Sequence, residues 1–242
     1  MFFFKKSKPI LSDLIPERYI DIHNHVLYGL DDGAANAEES ESLHTQMHAM
    51  GFETLIMTPH IMSHVWENTP KTIGDRFNNL SGLPHFKNAS VRFAAEYMMD
   101  DQFHKRMYQE QLLTLKDNFV LVEMSYQQAP LTLYDILFEL QVEGYRPVLA
   151  HPERYNFLHG NREAYKKLKQ VGCLFQLNLA AVTGYYGFAV TKTADLLLKE
   201  NLYDFTGSDI HHQRHLEAFK NPVIVKNRAH LNGLLEKNEF FR

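Results

Sequence analysis

Seven short apolar runs, each followed by a helix-like pattern, constrain this chain more tightly than any other feature. The runs cover 19–25, 54–58, 91–95, 119–122, 147–150, 173–177 and 203–206. Between them lie amphipathic stretches. One is capped by Asn36 with Glu39 three residues on, striped by Leu43, Met47 and Met50, and stopped at Gly51. A weaker one runs to about Leu80, one passes through Phe103 and Met107, and one carries Leu133, Ile136, Leu137 and Leu140 before Gly144. Others cover 162–171, 191–200 and, last, 222–235. Strand–helix alternation of this kind predicts an α/β fold with a parallel sheet covered by helices.

What stands at the strand ends narrows the fold further. His23, His25, His60, Glu96, Glu123, His151, Asp209 and His211 all fall at or just past the C-terminal end of an expected strand. In a barrel those ends converge on one face. An open doubly wound sheet gathers only the ends near its switch point. Six strands contributing ligand-type residues therefore favour the barrel.

The densest stretch is Asp21-Ile22-His23-Asn24-His25, continued by Asp31-Asp32-Gly33. On a strand, Asp21, His23 and His25 share one face. Two imidazoles two residues apart can grip one ion, and Asp21 is expected to accept the second ring N–H of a ligating histidine. Alone, such a stretch is equally a histidine-rich surface strand. The later residues decide for metal. With Asp32 the set holds five histidines and four carboxylates, and nine donors exceed the three or four that one ion takes. Two or three ions are expected, and imidazole and carboxylate without thiolate suit Zn, Mn or Fe.

Composition excludes several other classes. A net charge of −4 offers no basic field for nucleic acid. No run approaches the ~18 apolar residues of a membrane span, and the N-terminal Met-Phe-Phe-Phe-Lys-Lys does not read as a signal peptide. The single cysteine, Cys173, points to a reducing compartment, so a cytoplasmic location is expected. Residues 1–17 read as a loosely ordered N-terminal extension and 18–242 as a single catalytic domain. Cysteine-based phosphatase chemistry is excluded, because Leu179 stands where the arginine of Cys-x(5)-Arg would be.

Asp-x-His-x-His, Thr-Pro-His after the second strand, the lone Glu96, Ala-His-Pro-Glu-Arg-Tyr and Ser-Asp-x-His together resemble the PHP (polymerase and histidinol phosphatase) superfamily. His-x-His-x(6)-Asp-Gly and His-x-Glu-Arg-Tyr resemble its bacterial tyrosine-phosphatase branch, associated with capsular and extracellular polysaccharide clusters. The resemblance covers about 19–240 and implies a distorted seven-stranded (β/α)7 TIM-like barrel. It implies that His23, His25, Glu96 and Asp209 hold one ion. Glu96 would bridge to a second held by Glu123 and His151, and Asp32, His60 and His211 would hold a third. It also implies manganese as the metal, iron or zinc being alternatives. Arg154 and Arg214 would grip phosphate oxygens, and Asp209 or a nearby histidine would serve as acid. The implied activity is hydrolysis of phosphotyrosine by a metal-activated hydroxide, on the tyrosine-rich tail of a polysaccharide-export tyrosine kinase. Two other readings stay open: a PHP phosphoesterase for histidinol phosphate or another small phosphomonoester, and a metal-binding scaffold without turnover. Trp66, Tyr185, Tyr186 and Phe188 either border the site or merely pack.

Overall fold

The computed structural model describes residues 7–242. Nine strands alternate with eight α-helices. The strands are β1 (Tyr19–Asp21), β2 (Phe52–Met57), β3 (His60–Ile61), β4 (Ser90–Phe93), β5 (Glu96–Met98), β6 (Phe119–Glu123), β7 (Arg146–Ala150), β8 (Leu174–Asn178) and β9 (Phe205–Gly207). The helices are α1 (Ala37–Ala49), α2 (Pro70–Ser81), α3 (Phe103–Gln109), α4 (Leu133–Val142), α5 (Arg162–Gln170), α6 (Phe188–Lys199), α7 (Gln213–Phe219) and α8 (Arg228–Glu236). Asn36 caps α1 by accepting from the Glu39 N–H, and Glu39 in turn accepts from the Ala35 N–H.

All strand pairs are parallel, in sheets ordered β1-β2-β4 and β3-β5-β6-β7-β8-β9. Only Thr58-Pro59 separates β2 from β3, and only Ala94-Ala95 separates β4 from β5. Each pair is one chain passage broken midway, so seven passages account for the nine strands. Proline at the first break lacks an N–H to donate, yet bonds continue through it: Ala94 N–H to Met57 O at 2.8 Å and Glu96 N–H to Pro59 O at 3.2 Å. Beyond β1 and β9 the chain ends also meet. Asp209 N–H donates to His23 O at 2.7 Å and His25 N–H to Ile210 O at 2.9 Å.

Alternation along the strands divides the core. Ile20, Ile56, Leu121 and Val148 share one face with Phe119, Phe205 and Phe241. Their neighbours Leu55, Met57, Val120, Val122 and Leu149 face the other way and join the larger cluster of apolar side chains that includes the helix residues Leu43, Ile136 and Leu168. Apolar burial on both faces is what a parallel sheet under helices requires. No helix of the described residues is long and apolar enough to cross a membrane.

Two sequence expectations need correction. Within 7–17 the chain is not a loose arm: Ile10 bridges Pro222, Leu11 donates to Asn221 O, and Leu11 and Ile15 are buried. Residues 1–6 of that extension lie outside the described residues. The single helix expected over 222–235 is really α8 alone, preceded by the separate α7. Pro222 to Val225 run extended between them because Val223 pairs with Pro9 and Ile224 with Val182.

Candidate metal centre

The strand ends carry the candidate residues onto one face. Glu96, at the start of β5, sits centrally. Its Oε2 lies 3.1 Å from His23 Nε2, 3.4 Å from His25 Nε2 and 3.1 Å from His60 Nδ1. Its Oε1 lies 3.1 Å from His151 Nε2. Glu123 Oε1 approaches His60 Nδ1 at 2.9 Å, and Asp209 Oδ1 lies 3.3 Å and 3.5 Å from the Nε2 atoms of His23 and His25. At the rim, exposed Asp32 reaches His60 at 3.6 Å and His211 at 3.5 Å. All nine candidate positions therefore come together, eight of them buried.

Four tight groups result: His23, His25, Asp209; His23, Glu96, His151; His60, Glu96, Glu123; and His25, Asp32, His60, His211. They overlap through His23, His25, His60 and Glu96 and do not partition as the resemblance implies. Glu123 groups with His60, whereas His151 groups with His23.

Local backbone aims two of these residues. His151 (φ 38°) and Asp209 (φ 53°) both adopt the left-handed region just past β7 and β9. Such strain in non-glycine residues persists only where the surroundings impose it. Here the Asp209 N–H is held by His23 O, and the His151 N–H by Gln176 O. Two glycines permit the close approach of neighbouring chain. A Cβ on Gly33 would overlap the His25 carbonyl oxygen, and one on Gly207 would lie 2.7 Å from His23 Cβ.

The supporting hydrogen bonds differ from expectation. Asp21 does not touch a candidate ligand. It accepts from Ser208 N–H (2.8 Å), Ser208 Oγ (2.6 Å) and Asn24 Nδ2 (3.0 Å), joining β1 to the segment after β9. The histidines are oriented instead by Gln176, whose Oε1 lies 2.8 Å from His23 Nδ1, and by Asp31, whose Oδ2 lies 2.7 Å from His25 Nδ1. Asp31 Oδ2 also accepts the His60 N–H at 2.9 Å. Sequence reasoning missed both. Gln176 had left a signal, a polar residue alternating with Phe175 and Leu177 in an apolar run.

Electrostatics follows from this interleaving. Burial alone would strip the proton from His23, His25 and His60. Glu96 and Asp209 beside His23 raise it to about 9, Asp31 and Glu96 raise His25 to about 10, and Glu123 and Glu96 raise His60 to about 9. Burial pulls the carboxyls of Glu96 and Asp209 upward, but His23 and further cations hold both well below the usual range. Burial lowers His151, aided by Arg154, and lowers His211, aided by His25.

The donor set fits divalent ions. Glu96 Oε2 and Glu123 Oε1 lie 3.1 Å and 2.9 Å from His60 Nδ1 without an aligned hydrogen bond, and His151 Nδ1 is likewise buried without one, among the described residues. Orphaned polar atoms of this kind are costly unless something else satisfies them. Cations bound by imidazole nitrogen and carboxylate oxygen would do so.

A cavity of about 870 Å³ opens over the cluster. Its lining combines the polar Asp32, Glu123, His151 and Arg154 with the apolar or aromatic Trp66, Met98, Tyr126 and Leu131. Arg154 Nη1 donates to Asp209 Oδ2 at 2.5 Å, and its guanidinium lies 4.3 Å from the Tyr186 ring centre and 4.8 Å from that of Tyr126. It does not pair with Glu153, which is buried against the Asn178 N–H and the Tyr203 hydroxyl. Arg214 is the exception among the expected residues. It is exposed on α7 and does not line the cavity, since the helix start at Gln213 turns His215 inward to accept the His211 N–H. Trp66 stacks on His60 with ring centres 4.8 Å apart, so it borders the site. Phe188 is exposed and does not line the cavity. Cys173 is buried, its thiol pushed up to about 12 chiefly by burial, and lies outside the cavity.

Comparison with known proteins agrees with this geometry. Residues 19–236 match the family model described as capsular polysaccharide synthesis, CpsB/CapC. The tyrosine-protein phosphatase CpsB of Streptococcus agalactiae is 30% identical over 203 residues, covering 79% of this chain and 82% of that protein. The tyrosine-protein phosphatase YwqE of Bacillus subtilis is 28% identical over 201 residues, covering 79% and 77%. A crystal structure from work on YwqE and on CpsB of Streptococcus pneumoniae, described as unique metal-dependent tyrosine phosphatases, superposes with a TM-score of 0.79. It is 25% identical and covers 92% of this chain and 93% of that one. The phosphotriesterase homology protein of Escherichia coli, 12% identical with a TM-score of 0.50, covers 94% and 99% and shares the fold alone.

Proposed function

Because the chain belongs to the CpsB/CapC family of capsular polysaccharide synthesis, we propose that it is a metal-dependent protein-tyrosine phosphatase. One observation carries the reading most directly: buried orphaned donors of imidazole and carboxylate lie beside an ordered arginine, beneath a cavity with an aromatic wall. His23, His25, Asp32, His60, Glu96, Glu123, His151, Asp209 and His211 would hold two or three divalent ions, manganese foremost. Such ions supply Lewis-acid polarisation of a phosphoryl group and acidification of water.

The chain's own residues do the remainder. Arg154, preset between Tyr126 and Tyr186, offers its planar guanidinium to the non-bridging phosphoryl oxygens. Trp66, Met98 and Tyr126 give an aromatic ring an apolar wall. Asp209 Oδ2 accepts from Arg154 Nη1 and so holds the guanidinium in place. The phenolate of tyrosine, with a conjugate acid of pKa ~10, departs with little protonation, so no strong acid is required. Residues 18–242 would act as one catalytic domain, its two sheets forming one distorted seven-stranded barrel. The bonds between His23 and Asp209 and between His25 and Ile210 support that closure. The substrate we propose is the tyrosine-rich tail of a polysaccharide-export kinase, met in the cytoplasm.

Phosphate release from a phosphotyrosine peptide and from histidinol phosphate, measured side by side with manganese, tests this reading. Preference for the peptide is expected. Preference for histidinol phosphate would overturn the substrate assignment, and no turnover of either by the metal-loaded protein would leave a scaffold.

A further inference from the structure

A second histidine cluster lies outside the catalytic centre, between α1 and the segment joining α2 to β4. His44 Nδ1 lies 2.9 Å from His85 Nε2, with the rings edge-on and their centres 4.9 Å apart. The other nitrogen of His85, Nδ1, faces Glu41 Oε1 at 3.3 Å. His48 stands one turn beyond His44 on the same helix face, exposed, its ring centre 6.2 Å away. Phe86 packs edge-on against both His44 (5.1 Å) and His85 (4.8 Å), so the pair rests on an apolar floor.

We propose that His44, His48 and His85 form a peripheral site for a borderline divalent transition-metal ion such as Zn²⁺, with Glu41 orienting His85. Imidazole nitrogens about 3.3 Å apart are what a tetrahedral ion with metal–nitrogen bonds of ~2.0–2.1 Å requires, and the His44–His85 pair is already close to that spacing. Histidines at i and i+4 of a helix meet on one face, so rotation of the exposed His48 side chain supplies a third nitrogen. A carboxylate behind a ligating imidazole is the usual partner that fixes its tautomer. Burial, then His85 and His48, lower His44 to about 4, and a bound ion would take the place of the proton now shared between His44 Nδ1 and His85 Nε2. The bound ion would staple α1 to a segment some forty residues further on. That staple lies just after the loop carrying Asp31 and Asp32.

Zn²⁺ binding to the full chain, saturated first with Mn²⁺, tests the proposal by equilibrium dialysis and elemental analysis. Wild type is compared with H85Q and H48Q, both at exposed or half-exposed positions outside the catalytic machinery. Wild type is expected to retain one Zn²⁺ more than H85Q, and to gain more in thermal midpoint on Zn²⁺ addition than either variant. E41Q is expected to weaken that extra site about 10- to 100-fold. Equal Zn²⁺ content and equal midpoint shifts in wild type, H85Q and H48Q would overturn it.

Discussion

Three histidines of the central cluster and one of the peripheral cluster show the same side chain driven to opposite electrostatic effect. In the central one, carboxylates stand between the rings, and His23, His25 and His60 are raised to about 9, 10 and 9 against the pull of burial. In the peripheral one, burial, then the neighbouring His85 and His48, lower His44 to about 4. Carboxylates oppose burial at the three central rings, and none does so at His44. A count of histidines alone would not have separated the two.

Substitutions at the two places should therefore diverge, most strongly at the centre. His25→Ala, which removes a ring shared by two of the tight groups, is expected to reduce phosphotyrosine hydrolysis to background while H48Q retains it; steady-state assay of both checks this. Arg154→Ala is expected to cost about 10²–10³ in turnover, the scale for losing one donor to a developing oxyanion. Arg214→Ala, on the exposed face of α7, should leave turnover unchanged and stability within about 0.5 kcal/mol. A loss at Arg214 comparable to that at Arg154 would show that α7 moves when substrate binds. Asp31→Asn, which weakens the acceptor behind His25, is expected to lower metal retention about 10- to 100-fold, measured by dialysis against chelator.

The smallest effects concern pH, and they carry opposite signs. In chelator-stripped protein His23, His25 and His60 are expected to have folded values above the ordinary 6.5. Their stabilisation is complete below pH 6.5 and is lost as pH rises through 9–10. His44 has a folded value below 6.5, so its contribution is present above that pH and is lost as pH falls toward 4. Urea unfolding of stripped wild type and His44→Gln at several pH values should show the acid-side loss reduced in the variant. The same slope in both would assign that loss elsewhere.

Much of this was legible in the sequence, and the reasons are physical. Short continuous apolar runs marked the seven passages because both faces of a parallel sheet are buried, and the candidate ligands stood out as polar residues where the runs ended. The breaks at Thr58-Pro59 and Ala94-Ala95 were hidden, since a sheet shift leaves hydrophobicity unchanged. Asp21 was given the place that Asp31 holds behind a histidine, because a buried carboxylate reads the same whether it meets Ser208 or a histidine. Arg154 was legible within His-Pro-Glu-Arg-Tyr, but its setting between Tyr126 and Tyr186 joins three loops distant in sequence. Arg214 failed because its direction depends on where α7 begins, and that helix carries too few turns to be seen from its pattern.

The most direct test of the central claim is to measure metal content and phosphotyrosine-peptide turnover on the same preparations of wild type and Glu96→Gln. Glu96 contacts His23, His25, His60 and His151 at once. Wild type should bind two or three manganese ions and turn over only when loaded, and Glu96→Gln should lose both at least one ion and its activity. Full turnover by chelator-stripped wild type, or by Glu96→Gln with its metal content unchanged, would contradict the metal centre described above.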